Sequence, residues 1–276
     1  MKIYQLTNTT AYQMMGYLIQ TNNGKVIVID GGNKNQSEEL YKTLLKTGTT
    51  VDLWILTHIH ADHFESIIEI FNNHKDVKVK EFWRNRNDES LEFMDSGTLE
   101  QVKRWYDFEE NSNISFYSPK VNDICKIDDI EIEILGVANP EIKTNISNNQ
   151  SMVFKIREND FSMIFLGDLG IEGGEKLLNN QGTKLKSDAV QMSHHGQQGV
   201  SKNVYEAIGA KYAFWPTPKW LWDNTEYLGG TPGNGSFKTP EVIKWMEELN
   251  CVNITSFYET SLFDTNKLKT GEHACD

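Results

Sequence analysis

The sequence has little cysteine and no long hydrophobic run. Its 276 residues include three cysteines, Cys125, Cys251 and Cys275, and no CxxC pair. This excludes a disulfide-stapled scaffold and favours a reducing compartment. The longest apolar runs, such as Phe161 to Leu166, have the length of a strand and fall short of the roughly 18–20 residues of a membrane span. We therefore expect a cytoplasmic protein without a membrane partner.

The sequence also contains fewer basic residues than acidic ones. Lys and Arg number 27 against 39 Asp and Glu, so the formal net charge is −12. Such a chain lacks the broad positive field that non-specific nucleic-acid binding requires. We therefore expect a small molecule or a nucleotide as the substrate rather than long nucleic acid. The sequence leaves the oligomeric state open.

Short strand patterns dominate both halves of the chain, with helix patterns between them. No linker rich in Pro, Gly or Ser separates the halves, and no fixed repeat is present. This alternation predicts an α+β fold in which two sheets pack face to face with helices outside. We expect one domain over residues 1–265 and a frayed tail over residues 266–276.

Five of the seven histidines fall in two short clusters, and the first is the run His-Ile-His-Ala-Asp-His at residues 58–63. His58 and His60 are two residues apart, so both side chains point the same way from extended backbone. Asp62 and His63 begin a predicted helix and can face the same pocket. Imidazole and carboxylate suit divalent metals, with zinc preferred here over manganese or iron. The alternative is a polar corner with hydrogen-bonded histidines.

Other polar residues follow buried strand patterns. His194 and His195 leave the predicted strand Ala189 to Met192. Adjacent residues on extended backbone face opposite ways, so we favour His194 as the metal ligand and His195 as a donor to a substrate oxygen. Asp168 lies between two glycines after an apolar strand, and its two oxygens suit a bridge between cations. Asp30 also ends a strand, either as a turn former or as a site residue.

Together these residues resemble the metallo-β-lactamase superfamily. The matching segments are Asp30-Gly31-Gly32, the run at residues 58–63, Gly167-Asp168 and His194-His195-Gly196, in the family's order. The resemblance implies a four-layer αβ/βα sandwich with metals at one edge of its two sheets. Asn149-x-Ser151 ahead of Asp168 makes the chain similar to the hydrolase domain of competence-type DNA-uptake proteins and to phosphorylcholine esterases.

The resemblance also implies a site with two divalent metal ions and a shared hydroxide as the nucleophile. The implied ligands are His58, His60 and Asp168 for one ion, and Asp62, His63, Asp168 and His194 for the other. Asp62, His195 and Asp30 are expected to serve catalysis, Asp30 by orienting a ligating histidine. The expected reaction is hydrolysis of a phosphodiester or phosphomonoester. The alternatives are hydrolysis of a lactone, amide or thioester, and a redox or non-catalytic member of the fold.

The sequence departs from the family pattern at one position. Many members have a further histidine between the first cluster and Asp168, where this chain has only His74. The stretch Asn148 to Ser151 occupies the expected place, so an amide or a water is expected to replace imidazole at one metal. We expect His74 and His273 to be surface residues.

Three of the seven tryptophans, Trp215, Trp220 and Trp222, closely follow the second histidine cluster. They form either an aromatic wall for a sugar, base or quaternary ammonium group or a part of the core. With Asn149 and Ser151 they are the predicted substrate-binding residues.

Overall fold

Two seven-stranded sheets form the centre of the structure, a computed structural model that describes residues 1–86, 88–272 and 274–275. The strands, in chain order, are β1 (Lys2–Gln5), β2 (Gly16–Gln20), β3 (Val26–Asp30), β4 (Thr50–Val51), β5 (Leu53–Leu56), β6 (Lys78–Val79), β7 (Phe82–Arg84), β8 (Phe116–Tyr117), β9 (Ile124–Ile127), β10 (Ile130–Gly136), β11 (Val153–Glu158), β12 (Phe161–Phe165), β13 (Ala189–Gln191), β14 (Tyr212–Trp215), β15 (Val252–Thr255) and β16 (Ser261–Asp264). The helices are α1 (Ser37–Thr47), α2 (Ala61–Asn73), α3 (Ser96–Asn111), α4 (Ile171–Gln181), α5 (Lys202–Ile208), α6 (Lys219–Trp222), α7 (Thr239–Glu248) and α8 (Thr265–Thr270).

The two sheets share one pattern of strand direction. The first has the order β16-β1-β2-β3-β5-β7-β8 and the second β15-β14-β13-β12-β11-β10-β9, while β4 and β6 pair separately. β3, β5, β7 and β8 run parallel, as do β12, β13, β14 and β15. The carboxyl ends of neighbouring parallel strands meet at one edge of a sheet, which is where ligands bind in open α/β sheets.

Apolar side chains separate the layers. The largest cluster lies between the two sheets and joins residues of both, such as Ile29 and Ile55 of the first with Phe154 and Phe165 of the second. A second cluster covers the outer face of the first sheet beneath α1, α2 and α3. A third covers the outer face of the other sheet beneath α4, α5 and α7. The predicted four-layer α+β arrangement is confirmed.

The described part of the predicted tail, residues 266–272 and 274–275, makes contacts with the rest of the fold. α8 follows β16, and the Asp264 side chain caps it by accepting a hydrogen bond from the Asn266 amide at 3.0 Å. The Asp264 amide then donates to the carbonyl of Ala274 at 2.8 Å. Ala274 is 7% exposed and belongs to the cluster between the sheets.

Among the described residues, no helix combines the length and the apolar character that crossing a membrane requires.

Candidate metal centre

Two polar clusters meet where strands of both sheets end. β5 leads into His58 and His60, which precede α2, and Asp62 and His63 lie in the first turn of that helix. β12 leads into Asp168, and the second histidine cluster follows β13. The sheets therefore bring residues about a hundred positions apart in sequence to one edge.

His58, His60 and Asp168 form the first group, in which each residue offers a ligand atom within 4.8 Å of the others. Nε2 of His58 lies 3.0 Å from Nδ1 of His60 and 3.9 Å from Oδ2 of Asp168. Burial lowers the pKa of both histidines. Neutral imidazoles keep a lone pair, so this group is ready to coordinate a cation.

Asp62, His63, Asp168 and His195 form the second group, again within 4.8 Å. Nε2 of His63 lies 3.2 Å from Oδ2 of Asp168, and Nε2 of His195 lies 3.1 Å from Oδ2 of Asp62. Burial would lower the pKa of His195, but Asp168 and Asp62 raise it to about 10. Asp168 and Asp30 likewise hold the pKa of His63 well above its usual value against the effect of burial. The carboxylates thus create a site that strongly attracts positive charge.

The donor atoms of this centre fit a divalent metal. Within the described part of the chain, Nε2 of His63, Nε2 of His195 and Oδ1 of Asp168 are buried without a hydrogen-bond partner, since the nearby carboxylate oxygens do not meet hydrogen-bond geometry. An unsatisfied buried polar atom costs about 1–3 kcal/mol, and coordination removes that cost. Imidazole and carboxylate together suit zinc, manganese or iron.

Asp30 fixes the orientation of His63. Its Oδ2 lies 2.7 Å from Nδ1 of His63, and its two oxygens accept hydrogen bonds from the amide and the hydroxyl of Thr57 at 2.7 and 2.8 Å. With Nδ1 engaged, His63 presents Nε2 to Asp168. Asp30 is fully buried, so it acts through His63, which is the positioning role expected of it. Thr57 was not predicted, although it directly precedes His58.

The turn that carries the second cluster has an unusual backbone. His194 and His195 have φ values of +50° and +55°, and Gly196 has +73°. A Cβ atom on Gly196 would lie 2.3 Å from the Trp215 ring, so only glycine fits there. Nδ1 of His195 lies 3.0 Å from the Pro216 carbonyl, which leaves Nε2 free to face the carboxylates.

The ring that lies in the second ligand group is that of His195, whereas the sequence favoured His194. His195 is fully buried in the second group. Nδ1 of His194 instead lies 2.9 Å from the Gln198 carbonyl, and its Nε2 lies 3.3 Å from Nδ2 of Asn148. The prediction assumed extended backbone, whereas both residues are left-handed.

A network of side-chain bonds holds Asp168 in place. The hydroxyl of Ser151 accepts a hydrogen bond from the Asp168 amide at 2.9 Å. Oε1 of Gln191 accepts from the Gly167 amide, and its Nε2 donates to the Gly167 carbonyl, at 2.8 and 3.0 Å. Gln191 was not predicted. Its only sequence signal is a polar residue inside an apolar strand pattern.

A family model described as the metallo-beta-lactamase superfamily matches residues 12–211. The chain belongs to the metallo-β-lactamase superfamily. This confirms the resemblance that the sequence motifs indicated.

Two curated relatives match parts of the chain. ComE operon protein 3 of Bacillus subtilis (strain 168) is 25% identical over 195 residues, which cover 64% of this chain and 23% of that protein. A UPF0173 metal-dependent hydrolase of Thermodesulfovibrio yellowstonii is 44% identical over 64 residues, which cover 23% of this chain and 24% of that protein. The matches thus span about a quarter of the length of each relative.

Solved structures of the superfamily fold resemble the chain more fully. The metallo-beta-lactamase fold protein YhfI from Bacillus subtilis has a TM-score of 0.59 at 10% identity, over 95% of this chain and 99% of that chain. A CmlA beta-hydroxylase mutant has a TM-score of 0.57 at 10% identity, over 95% and 53% of the two chains. At such low identity these likenesses show the fold alone.

The five predicted substrate-binding residues have different environments in this superfamily member. Trp220 borders a depression of about 710 Å³ that His60 and Asp62 also line. Trp215 is fully buried, and the Trp222 ring packs edge-on against it with centroids 5.0 Å apart. Only Trp220 of the three tryptophans therefore faces the site.

The other two residues bond to the backbone, and their contact with substrate stays a prediction. Asn149 is fully buried. Its Oδ1 accepts hydrogen bonds from the Gly170 and Gly173 amides, both at 3.1 Å, at the start of α4. Ser151 is equally buried and bonded to the Asp168 amide. The prediction rested on their polar side chains and on their place ahead of Asp168 in the sequence. In the structure these side chains hydrogen-bond to backbone amides.

The two histidines expected at the surface have separate outcomes. The ring of His74 stacks on Tyr41 with centroids 3.5 Å apart, and its side chain is 17% exposed. It is therefore half-buried rather than a free surface residue. His273 lies outside the described residues.

Proposed function

We propose that this chain is a metal-dependent hydrolase that cleaves a phosphodiester or phosphomonoester in a small molecule or nucleotide. The observation that supports this most directly is the position of Asp168. It belongs to both ligand groups and offers a carboxylate to each. One carboxylate shared by two groups is the arrangement expected of two adjacent cations.

The proposed ligands are His58, His60 and Asp168 for one cation, and Asp62, His63, Asp168 and His195 for the other. Zinc is the preferred metal, with manganese and iron as alternatives. When bound, a divalent pair lowers the pKa of water and neutralises charge on phosphoryl oxygens.

Water is the proposed nucleophile because the hydroxyl groups around the centre are engaged elsewhere. Thr57 donates to Asp30, Ser193 donates to the Leu169 carbonyl at 2.8 Å, and Ser151 accepts from Asp168. These bonds hold each oxygen in a structural role. A covalent intermediate on one of these side chains would break such a bond, whereas direct attack by water leaves all of them intact.

Asp62 is the carboxylate that we assign to contact with water and substrate. Its side chain is 25% exposed, against 2% for Asp168. It also lines the depression beside His60. Its oxygens can therefore accept a hydrogen bond from the attacking water, while Nε2 of the fully buried His195 lies 3.1 Å from its Oδ2.

Two further findings support hydrolysis of a small phosphoester. A matching relative is described as a metal-dependent hydrolase, and a pair of cations is suited to holding the oxygens of an in-line phosphoryl displacement. The net charge of −12 opposes the approach of long nucleic acid. The substrate proposed is accordingly small.

The test is a substrate panel on zinc-loaded and manganese-loaded protein, with metal content measured by elemental analysis. We expect two equivalents of metal and turnover of methyl p-nitrophenyl phosphate or bis-p-nitrophenyl phosphate. Asp168→Ala should lose both metal and turnover, whereas Asp160→Asn, at an exposed position, should keep both. Turnover of a lactone alone would replace the phosphoester proposal by the alternative, hydrolysis of a lactone, amide or thioester. Full activity of Asp168→Ala would overturn the two-cation site.

A further inference from the structure

The depression beside the metal centre has walls from four separate segments. Tyr12 and Gln13 come from the β1–β2 connection, Asn35 from the β3–α1 connection, Gln101 from α3 and Trp220 from α6. With a volume of about 710 Å³, it has the size of a small-molecule site. His60 and Asp62 form its inner end, so a group lying in it would be attached to whatever occupies the metal centre.

Two aromatic side chains face this space. Tyr12 is 64% exposed, while Trp220 is 9% exposed. The Trp220 indole nitrogen donates to the carbonyl of Thr10 at 3.3 Å, which ties α6 to the segment that carries Tyr12. Aromatic faces held in this way bind flat or ring-shaped groups by stacking.

Amide groups supply the polar contacts. Oε1 of Gln13 accepts from the side chain of Gln197 at 3.0 Å, and Oε1 of Gln101 accepts from the Ala61 amide at 2.7 Å. Each glutamine is thus fixed through its oxygen. Across the described ranges, neither amide nitrogen has a hydrogen-bond partner, so both remain available as donors to the polar edge of a ligand.

Among its described lining residues, the depression offers no unpaired lysine or arginine to a second anionic group. Of the described residues that line it, Lys34 is the one lysine or arginine. Its Nζ lies 3.2 Å from Oε1 of Glu69, so its charge is already paired. Glu65 lines the same space, and its charge is likewise paired, with Arg104. The lining therefore suits an uncharged group.

We propose that this depression binds an uncharged ring with polar edges, a nucleobase or a sugar, that is attached to the phosphoryl group in the metal centre. This inference rests on the proposed phosphoester hydrolysis and specifies its substrate class. Tyr12 and Trp220 contact the faces of the ring, and Gln13 and Gln101 donate to its edge.

The kinetic test uses three esters with the same p-nitrophenyl leaving group, formed from methyl phosphate, thymidine 5′-phosphate and glucose 6-phosphate. At least one ring ester should exceed the methyl ester in kcat/KM by about tenfold or more. Tyr12→Ala should lower that ratio about tenfold. Tyr258→Ala removes another exposed tyrosine (76% exposed) outside the lining and should leave the ratio unchanged. A thymidine preference identifies a base, and a glucose preference identifies a sugar.

A binding measurement separates this inference from the proposed reaction. Calorimetry of metal-loaded protein with thymidine 5′-phosphate, glucose 6-phosphate and methyl phosphate needs no turnover. Tighter binding of a ring phosphate, weakened in Tyr12→Ala, supports the inference even if no ester is cleaved. Equal binding of all three phosphates would overturn the inference. So would an equal kcat/KM ratio of ring ester to methyl ester in Tyr12→Ala and Tyr258→Ala. In either case, turnover of the methyl ester would still support the proposed function.

Discussion

Oδ2 of Asp30 lies 2.7 Å from Nδ1 of His63, and both side chains are fully buried. A carboxylate in this position fixes the ring and raises the basicity of its other nitrogen. Asp30 itself has a φ of +54°, a conformation that Asp and Asn adopt more readily than other side-chain-bearing residues.

Asp30→Asn should therefore keep the backbone and weaken the hold on His63. We expect metal affinity to fall about 10–100-fold, measured by competition with a chromophoric chelator. Asp128→Asn is the matched control, because Asp128 has the same φ of +54° and lies outside the ligand groups. An unchanged affinity in Asp30→Asn would show that Asp30 does not position the ring.

The positions of His194 and His195 predict opposite outcomes for the same substitution. Asparagine tolerates the left-handed backbone at both positions. His195→Asn should lose at least one equivalent of metal because its ring belongs to the second group. His194→Asn should keep both equivalents, since its ring lies against Gln198 and Asn148. Elemental analysis of the two purified variants distinguishes these outcomes. Metal loss in His194→Asn alone would restore the original assignment of His194 as the ligand.

Asn149 is expected to stabilise the fold without contacting substrate. Its side chain receives two backbone amides at the start of α4 and donates to the Thr144 carbonyl at 3.0 Å. Asn149→Ala should lower the free energy of unfolding by about 1–2 kcal/mol in urea denaturation. Asn149→Asp keeps the acceptor and should recover part of the loss. A changed KM with unchanged stability would return Asn149 to the substrate site.

Asp52 links stability to pH. Burial alone would raise the pKa of this carboxyl, but hydrogen bonds from Lys80 and the Val26 amide, with the charge of Lys25, hold it below its usual value. A lowered pKa stabilises the folded state above the unfolded pKa of about 3.9, and this stabilisation disappears as pH falls through the folded value.

Asp52→Asn should therefore cost about 1–2 kcal/mol at neutral pH, and less as the pH falls below about 4. The Asp52 side chain is 12% exposed, and Nζ of Lys80 lies 2.6 Å from its Oδ1. Urea denaturation at pH 7 and at pH 3.5 measures both values. A cost that is the same at the two pH values would contradict the assignment to ionised Asp52.

The sequence predicted the layers and the first ligand run because both depend on local patterns. Strand periodicity located the central strands, and the spacing of His58, His60 and Asp62 implied that they share a pocket. The exit from β13 could not be predicted in the same way. Its two histidines are left-handed, and this conformation depends on Gly196 packing against Trp215, a residue nineteen positions later. Contacts distant in sequence also determined that Asn149 and Ser151 bond to backbone.

The left-handed backbone of the two histidines costs free energy, which contacts elsewhere in the fold must offset. Non-glycine residues in this region cost on the order of 1–3 kcal/mol each. The turn is held by the Thr217 hydroxyl, which donates to the His195 carbonyl at 2.6 Å, and by the packing of Gly196 against Trp215. Substitutions selected only for thermal stability will tend to relax this turn, so stability and metal binding are in conflict at this point of the chain.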